Sequence, residues 1–256
     1  MNLEALRALG LVETRACRHG KMSFLRTDQW IAQALGYYGE FSQAEIDVWD
    51  TLLREGDNVV TAGANIGAHV VWFAKRVGGG RVITAEPQGV LYEILQENIA
   101  QNELANVEAH RAALGRDRAR AALPAVDYRY SFSFGSLGAA DVDQLGTAAV
   151  VVDVVTIDEL LDGRPARLIH LDVEGGEVEA LQGASGTITR HRPYLYLECD
   201  RPGQSETLFR ALGAIGYEAL MHRAPLYNRR NFAENGLNIF GDTVSISLLG
   251  IPKGAA

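Results

Sequence analysis

The stretch Val59-Val60-Thr61-Ala62-Gly63-Ala64-Asn65-Ile66-Gly67 runs a short apolar strand into a glycine turn, and helical spacing continues from Ile66 to Val77. In doubly wound sheets a ligand sits at the carboxyl ends of the strands, near the point where the strand order reverses, and a first strand leads there. Glycines in such a turn let the backbone approach a ligand, and the first N–H groups of the helix are free donors. A glycine turn is also an ordinary structural device, so the next strand has to be consulted. Ile83-Thr84-Ala85-Glu86-Pro87 places an acid directly after it. A carboxylate there can accept both hydroxyls of a ribose, whereas the bland alternative makes Glu86 an exposed neighbour of a helix cap. The dinucleotide fingerprint G-x-G-x-x-G would need glycines where this chain has Asn65 and Ala68. Taken together, the turn and the acid suit an adenosyl ligand without a pyrophosphate.

Outward from this unit the chain alternates short apolar runs with amphipathic helices, the pattern of a mostly parallel sheet covered on both faces. Strands are expected at 58–62, 81–85, 107–112, 167–173 and 194–199, with helices at 66–77, 90–102, 178–190 and 206–216. Two tail strands, 217–221 and 244–249, complete a seven-stranded α/β sheet. The stretch 115–155 breaks the alternation; it reads as an insertion with a hairpin that ends in a strand at 149–155. Within it, Tyr128 to Gly138 alternates aromatic and small hydroxyl residues, as one strand of that hairpin or as a lid over a substrate. Asn228 to Asn238 could form the opposite wall. Residues 1–40 read as an N-terminal helical cover, with Trp30, Ile31, Leu35 and Tyr38 on one helix face, and 41–256 as the main domain. Ser42 and Glu45 have capping-box spacing ahead of a helix that Gly56 ends.

With 256 residues, 47% hydrophobic and 22% charged, the chain can build one sizeable core. A net charge of -8 with scattered arginines argues against a nucleic-acid partner. Cys17 and Cys199 have neither disulfide nor metal spacing. No apolar run approaches the roughly eighteen residues of a membrane span, and no leader pattern opens the chain, so the expected place is the cytoplasm, away from membranes.

The ordered set Gly63-Ala64-Asn65-Ile66-Gly67, Ala85-Glu86-Pro87, Thr156-Ile157-Asp158-Glu159-Leu160 and Leu171-Asp172-Val173-Glu174-Gly175-Gly176-Glu177 resembles the FkbM family of methyltransferases. The resemblance implies a class I methyltransferase fold, Rossmann-like and doubly wound. It also implies S-adenosylmethionine as donor, with S-adenosylhomocysteine as product, and a hydroxyl of a sugar, polyketide or other small molecule as acceptor. By position it assigns Gly63, Ala64, Asn65 and Gly67 to the methionine end of the cofactor, Glu86 and Pro87 to the ribose, and Ala112 and Ala113 to the adenine. Two positions depart from the pattern: Thr61 stands where relatives carry an Asp that helps fix the cofactor's amino group, and His170 where relatives often carry a lysine. Thr61 can accept a hydrogen bond but brings no charge. It motivates a second reading, a cofactor-binding scaffold or partner subunit without efficient catalysis.

Methyl transfer from a sulfonium needs alignment above all, and a hydroxyl acceptor must also lose a proton. Asp172 and Glu174 end one expected strand and Glu198 and Asp200 the next, so parallel pairing would gather them at one rim. Period-two alternation sends His170 and Asp172 to one face. Asp172 is the first choice for base or substrate-orienting group, and for a further cofactor contact; Glu174 and Glu198 follow. Glu177 suits a helix cap better. A Mg²⁺ ion is not favoured, because no histidine or further acid falls at ligand spacing. His110, His191 and His222 read as surface or strand-end residues, and His69, beside the glycine turn, as borderline. Homo-oligomerisation is left open.

Overall fold

The computed structural model describes residues 2–138, 141, 148–201 and 203–254. In chain order these form α1 (Leu3–Ala8), β1 (Val12–Cys17), β2 (Gly20–Leu25), α2 (Ile31–Tyr38), α3 (Gln43–Leu52), β3 (Val59–Ala62), α4 (Ala68–Val77), β4 (Val82–Ala85) and α5 (Gly89–Gln101). Then follow β5 (Val107–His110), β6 (Ala113–Leu114), β7 (Ala119–Pro124), a 3₁₀ turn (Phe134–Ser136), β8 (Ala149–Val155), α6 (Ile157–Leu161), β9 (Leu168–Leu171), α7 (Glu177–Gln182), α8 (Ser185–His191), β10 (Tyr194–Glu198), α9 (Gln204–Ala214), β11 (Tyr217–Pro225) and β12 (Val244–Pro252).

The main sheet has seven strands in the order β11-β12-β10-β9-β3-β4-β5. All pairs from β10 to β5 are parallel, and β12 enters antiparallel between β10 and β11. Strands β3, β4 and β9 are buried at every residue, which is why they read as unbroken apolar runs. One face packs α6 to α9 through residues such as Ile157, Ala180, Ile188 and Leu208 against Val60, Ile169 and Leu195. The other packs α3 and α4 through Trp49, Phe73 and Val77 against Val59, Val82 and Leu168. The order reverses between β3 and β9, so their carboxyl ends open a crevice there.

Three expectations change. The cover is not purely helical: β1 and β2 pair as an antiparallel hairpin, Val12 opposite Leu25 and Cys17 opposite Gly20. Its charged residues Glu13, Arg15 and Lys21 interrupt the apolar pattern, and its inner residues Met22, Phe24 and Leu25 join a core with Ile66, Val71, Leu91 and Phe134. The strand at 149–155 forms, but in a separate three-stranded sheet, β6-β8-β7. Within the insertion, 139–140 and 142–147 lie outside the described residues. Finally, Ser42 precedes α3 in a left-handed conformation (φ 46°) and caps no backbone N–H; its hydroxyl donates instead to the Glu45 carboxylate at 2.7 Å. The capping box in the structure is Thr156 with Glu159, at the start of α6.

The Tyr128–Gly138 stretch is not a hairpin strand. Its Tyr128 and Phe134 turn inward, at 8% and 0% exposed, while Tyr130 points out at 68%. It is sewn to the cover: Thr27 Oγ1 donates to the Tyr128 carbonyl (2.8 Å), Gln29 N to the Phe132 carbonyl (3.1 Å) and Phe132 N to the Thr27 carbonyl (3.1 Å). Together the two segments roof the crevice.

Candidate active site

A cavity of about 850 Å³ opens at the carboxyl ends of β4, β3, β9 and β10, the range of small-molecule sites. At its β3 wall, Gly63 (φ 72°) and Gly67 (φ 86°) are left-handed, as is Asn65 (φ 50°). A Cβ on Gly63 would lie 1.6 Å from the Asp172 carbonyl oxygen, so the loop and the end of β9 touch through bare backbone. We therefore expect Gly63→Ala to cost about 1–3 kcal/mol through strain alone, more once the clash is relieved by moving β9; equilibrium denaturation in urea measures it. Gly67 serves packing: it caps α4, and a Cβ there would strike Leu95 at 2.6 Å.

Glu86, 4% exposed, follows β4 and lines the cavity. Its carboxylate accepts from Asn65 N and Gln88 N, both at 2.8 Å. Burial pushes its carboxyl up to about 7, against those two backbone donors. Each oxygen keeps a lone pair, and two cis hydroxyls of a ribose fit that need. Pro87, Ala112 and Ala113 line the same end, beside Ala64 and Asn65. The roof closes over it, since Gln88 Nε2 donates to the Phe134 carbonyl at 2.7 Å and a Cβ on Gly135 would come 2.5 Å from Asn65 Nδ2.

Asp172 and Glu198 meet at the next two strand ends. Their carboxylate oxygens approach within 4.8 Å of each other. Burial raises both carboxyls well above the ordinary carboxylate range, and Asp172 raises Glu198 further. Glu174, left-handed at φ 55°, faces the same space, but Arg201 holds its carboxylate through Nη2 at 2.8 Å and Nε at 3.2 Å. Ligand atoms of Asp172, Glu174 and Glu198 lie within 4.8 Å of one another, gathered at one rim as parallel pairing of β9 and β10 predicts. Three oxygens suit a hard cation, yet one of these carboxylates is already engaged by the Arg201 guanidinium. Glu177, as expected, is structural: buried, it accepts from Val173 N (3.1 Å) and Gly175 N (3.2 Å).

Two assigned residues do not line the cavity, Thr61 and Gly67. Thr61 is buried, and its Oγ1 hydrogen-bonds His170 Nδ1 at 2.8 Å, directly across the β3–β9 register. The two departures from the family pattern are therefore one contact, a neutral pair where an acid and a lysine would form an ion pair. His170 lies among Trp49, Phe73 and Tyr196, and burial depresses its pKa to about 3. His69 does line the cavity; stacked on Phe41, it has no partner for Nε2, and burial takes its pKa down to about 4. His110, His191 and His222 stand outside. Asn228–Asn238 does not wall the cavity: Glu40 anchors it, accepting from Asn228 Nδ2 (2.7 Å) and Phe232 N (2.8 Å). The flanking Leu226 and Ser245 reach the cavity instead.

One acid escaped the sequence altogether. Glu45 of α3, 5% exposed, projects into the cavity, where Oε1 accepts from Tyr196 OH (3.2 Å), Ser245 Oγ (3.1 Å) and Ser247 Oγ (3.3 Å). Its position in an amphipathic helix gave no signal; Ser245 is 200 residues away.

The sheet order, the glycine turn at the reversal and the acid after the neighbouring strand together define an S-adenosylmethionine-dependent methyltransferase of class I. Comparison with known proteins narrows this: the model described as Methyltransferase FkbM domain matches residues 62–218, and the chain belongs to that family. It is 26% identical to Methyltransferase 1 of Beauveria bassiana over 185 residues, 64% of this chain and 74% of that one. It is 27% identical to Methyltransferase sdnD of Sordaria araneosa over 155 residues, 49% of this chain and 59% of that one. Among solved structures, Methyltransferase FkbM from Methylobacillus flagellatus KT superposes with a TM-score of 0.52 at 20% identity, over 78% of this chain and 45% of that one. This chain thus spans less than half the length of that structure. No helix among the described residues is long and apolar enough to cross a membrane.

Proposed function

We propose that the chain transfers a methyl group from S-adenosylmethionine to a hydroxyl of a small-molecule acceptor. The observation that carries this is the order of groups along the carboxyl edge of the sheet: Glu86 after β4, the glycine loop after β3, Asp172 after β9 and Glu198 ending β10. Adjacent strands are about 4.8 Å apart. A ribose at Glu86 therefore places the sulfur end of the cofactor over the glycine loop, with the carboxyl pair one strand further.

The donor, when bound, supplies a methyl group already activated on a sulfonium. The chain's own work is to align and to take a proton. Asn65, Gly63 and Glu86 fix the cofactor, with Ala112 and Ala113 against the adenine. Asp172, with Glu198 steadying it, accepts the acceptor's hydroxyl proton, and Arg201 keeps Glu174 from competing for it. The roof excludes water, which strengthens these charges. The acidic balance of the chain and a cavity of small-molecule size favour a free small molecule over a nucleic acid. Thr61, spent on His170, takes no part in the cofactor contacts, so the scaffold reading gains nothing from it.

The direct test is to incubate the protein with methyl-labelled S-adenosylmethionine and a fraction of small hydroxylated metabolites, then locate the label by mass spectrometry. Label on an oxygen is expected; label on nitrogen or carbon, or S-adenosylhomocysteine that fails to bind at millimolar concentration, would sink the reading.

Two further results follow. Glu86→Ala should weaken S-adenosylhomocysteine binding about 10- to 100-fold, the loss of hydrogen bonds to a charged group, as read by calorimetric titration. The pH profile should show an ascending limb above the carboxylate range, because only the ionised Asp172–Glu198 pair accepts a proton. A bound sulfonium favours that ionised form, so the limb in kcat should lie at lower pH than the limb in kcat/KM. The value belongs to the pair and not to either residue.

A further inference from the structure

We propose that Glu45 recognises a protonated amine on the acceptor, so that the substrate is an amino alcohol or amino sugar with its hydroxyl at Asp172 and its ammonium at Glu45. This inference rests on the methyl-transfer reading above.

Glu45 is a buried acid whose hydrogen-bond donors are all neutral hydroxyls: Ser42, Tyr196, Ser245 and Ser247. Among the described residues no Lys, Arg or His forms an ion pair with it, whereas buried Glu40 has Arg18 and buried Glu86 and Glu177 are held by backbone N–H groups. A buried charge is normally matched by an opposite one, and here the cavity is the side left for it. Position separates this acid from the cofactor. Its serine partners lie on β12, which stands beyond β9 and β10 from the glycine loop, roughly 14 Å across the sheet. Glu45 reaches the cavity from α3, over the β10–β12 pair, through Tyr196, Ser245 and Ser247.

Its surroundings suit an ammonium. Of the cavity-lining cations, Arg201 is already held by Glu174, while Arg116 and Arg120 enter from the insertion sheet. Asp200 adds a further negative charge at the end of β10. Trp30 and Phe41 present aromatic surface to the same cavity, and aromatic faces attract a cation. His69, beside Phe41, leaves its buried Nε2 without a partner. An acid with four hydroxyls, a neutral imidazole and aromatic walls make a pocket that a neutral polyol would leave uncompensated.

The test uses matched probes on the full chain saturated with S-adenosylhomocysteine, in the presence of EDTA: trans-2-aminocyclohexanol against trans-1,2-cyclohexanediol, by calorimetric titration. The amine is expected to bind at least about 10-fold more tightly. Its advantage should fade as pH rises through the amine's own pKa. Glu45→Gln, which keeps a hydrogen-bonding oxygen but no charge, should erase the ratio while leaving S-adenosylhomocysteine binding unchanged. Equal binding of the two probes, no binding of either, or a ratio that survives Glu45→Gln would overturn the proposal. If Glu45→Gln does not fold, the wild-type ratio and its pH dependence decide alone. Failure of S-adenosylhomocysteine to bind is a separate result and strikes the methyl-transfer reading itself.

Discussion

Replacing Asp172 with Asn should lower kcat on the order of 10²- to 10⁴-fold, the contribution of a positioned general base, while S-adenosylhomocysteine still binds. The change is isosteric, so alignment survives and only proton acceptance is lost. The same variant should be more stable than the parent at neutral pH. Burial raises the folded-state pKa of this carboxyl above its unfolded value of about 3.9. Its protonated form is favoured in the fold, so the stability it supports is complete below the unfolded pKa and is lost as pH rises through the folded one. An amide does not ionise, so the advantage of Asn should appear only above about pH 4 and vanish below it. Labelled-methyl transfer and thermal melts at several pH values read the two effects. A variant that lost stability and activity together would point to a structural acid. A variant that kept full activity would remove Asp172 from the mechanism.

The second large effect concerns Thr61 and His170. His170→Lys alone places an ammonium in the space now filled by a neutral ring, with a hydroxyl as its partner, and should cost about 3–5 kcal/mol. Thr61→Asp alone buries a carboxylate against an imidazole whose pKa burial holds near 3, and should also destabilise. The double variant restores an acid and a base at directly paired positions on β3 and β9, so most of the loss should return, with a coupling of about 2–3 kcal/mol. Losses that simply add would show that the two sites do not communicate. Cofactor affinity is the informative control: since Thr61 faces His170 and not the cavity, the double variant should bind S-adenosylhomocysteine as the parent does.

These two cases also show what a single sequence can and cannot carry. Val59–Ala62, Val82–Ala85 and Leu168–Leu171 were legible because a strand buried on both faces must be apolar throughout. Glu86 and Asp172 were legible because they stand at strand ends, and strand ends define the site. The contact between Thr61 and His170 was not, since the residues are 109 apart and only sheet register joins them. Glu45 was hidden for the same reason: its i+3 spacing from Ser42 has a local explanation, and the local explanation was wrong in detail. The hairpin of β1 and β2 lacked an apolar stripe because much of its surface remains wet. The alternation from Tyr128 to Phe134 misled in the opposite way, since Tyr128 and Phe134 face inward from an irregular segment while Tyr130 faces out.

The roof over the crevice bears on how the molecule assembles. Thr27 and Tyr128, which help to sew it, are 101 residues apart, so the roof closes a long loop through a few hydrogen bonds and two phenylalanines. Closure of that kind is slow to gain and early to be lost. A ligand gripped beneath it adds its own binding free energy to the closed form by mass action. Titrating S-adenosylhomocysteine should therefore raise the melting temperature in step with its concentration, and protect the amides of Gln29 and Phe132, which hold the roof shut, from hydrogen exchange.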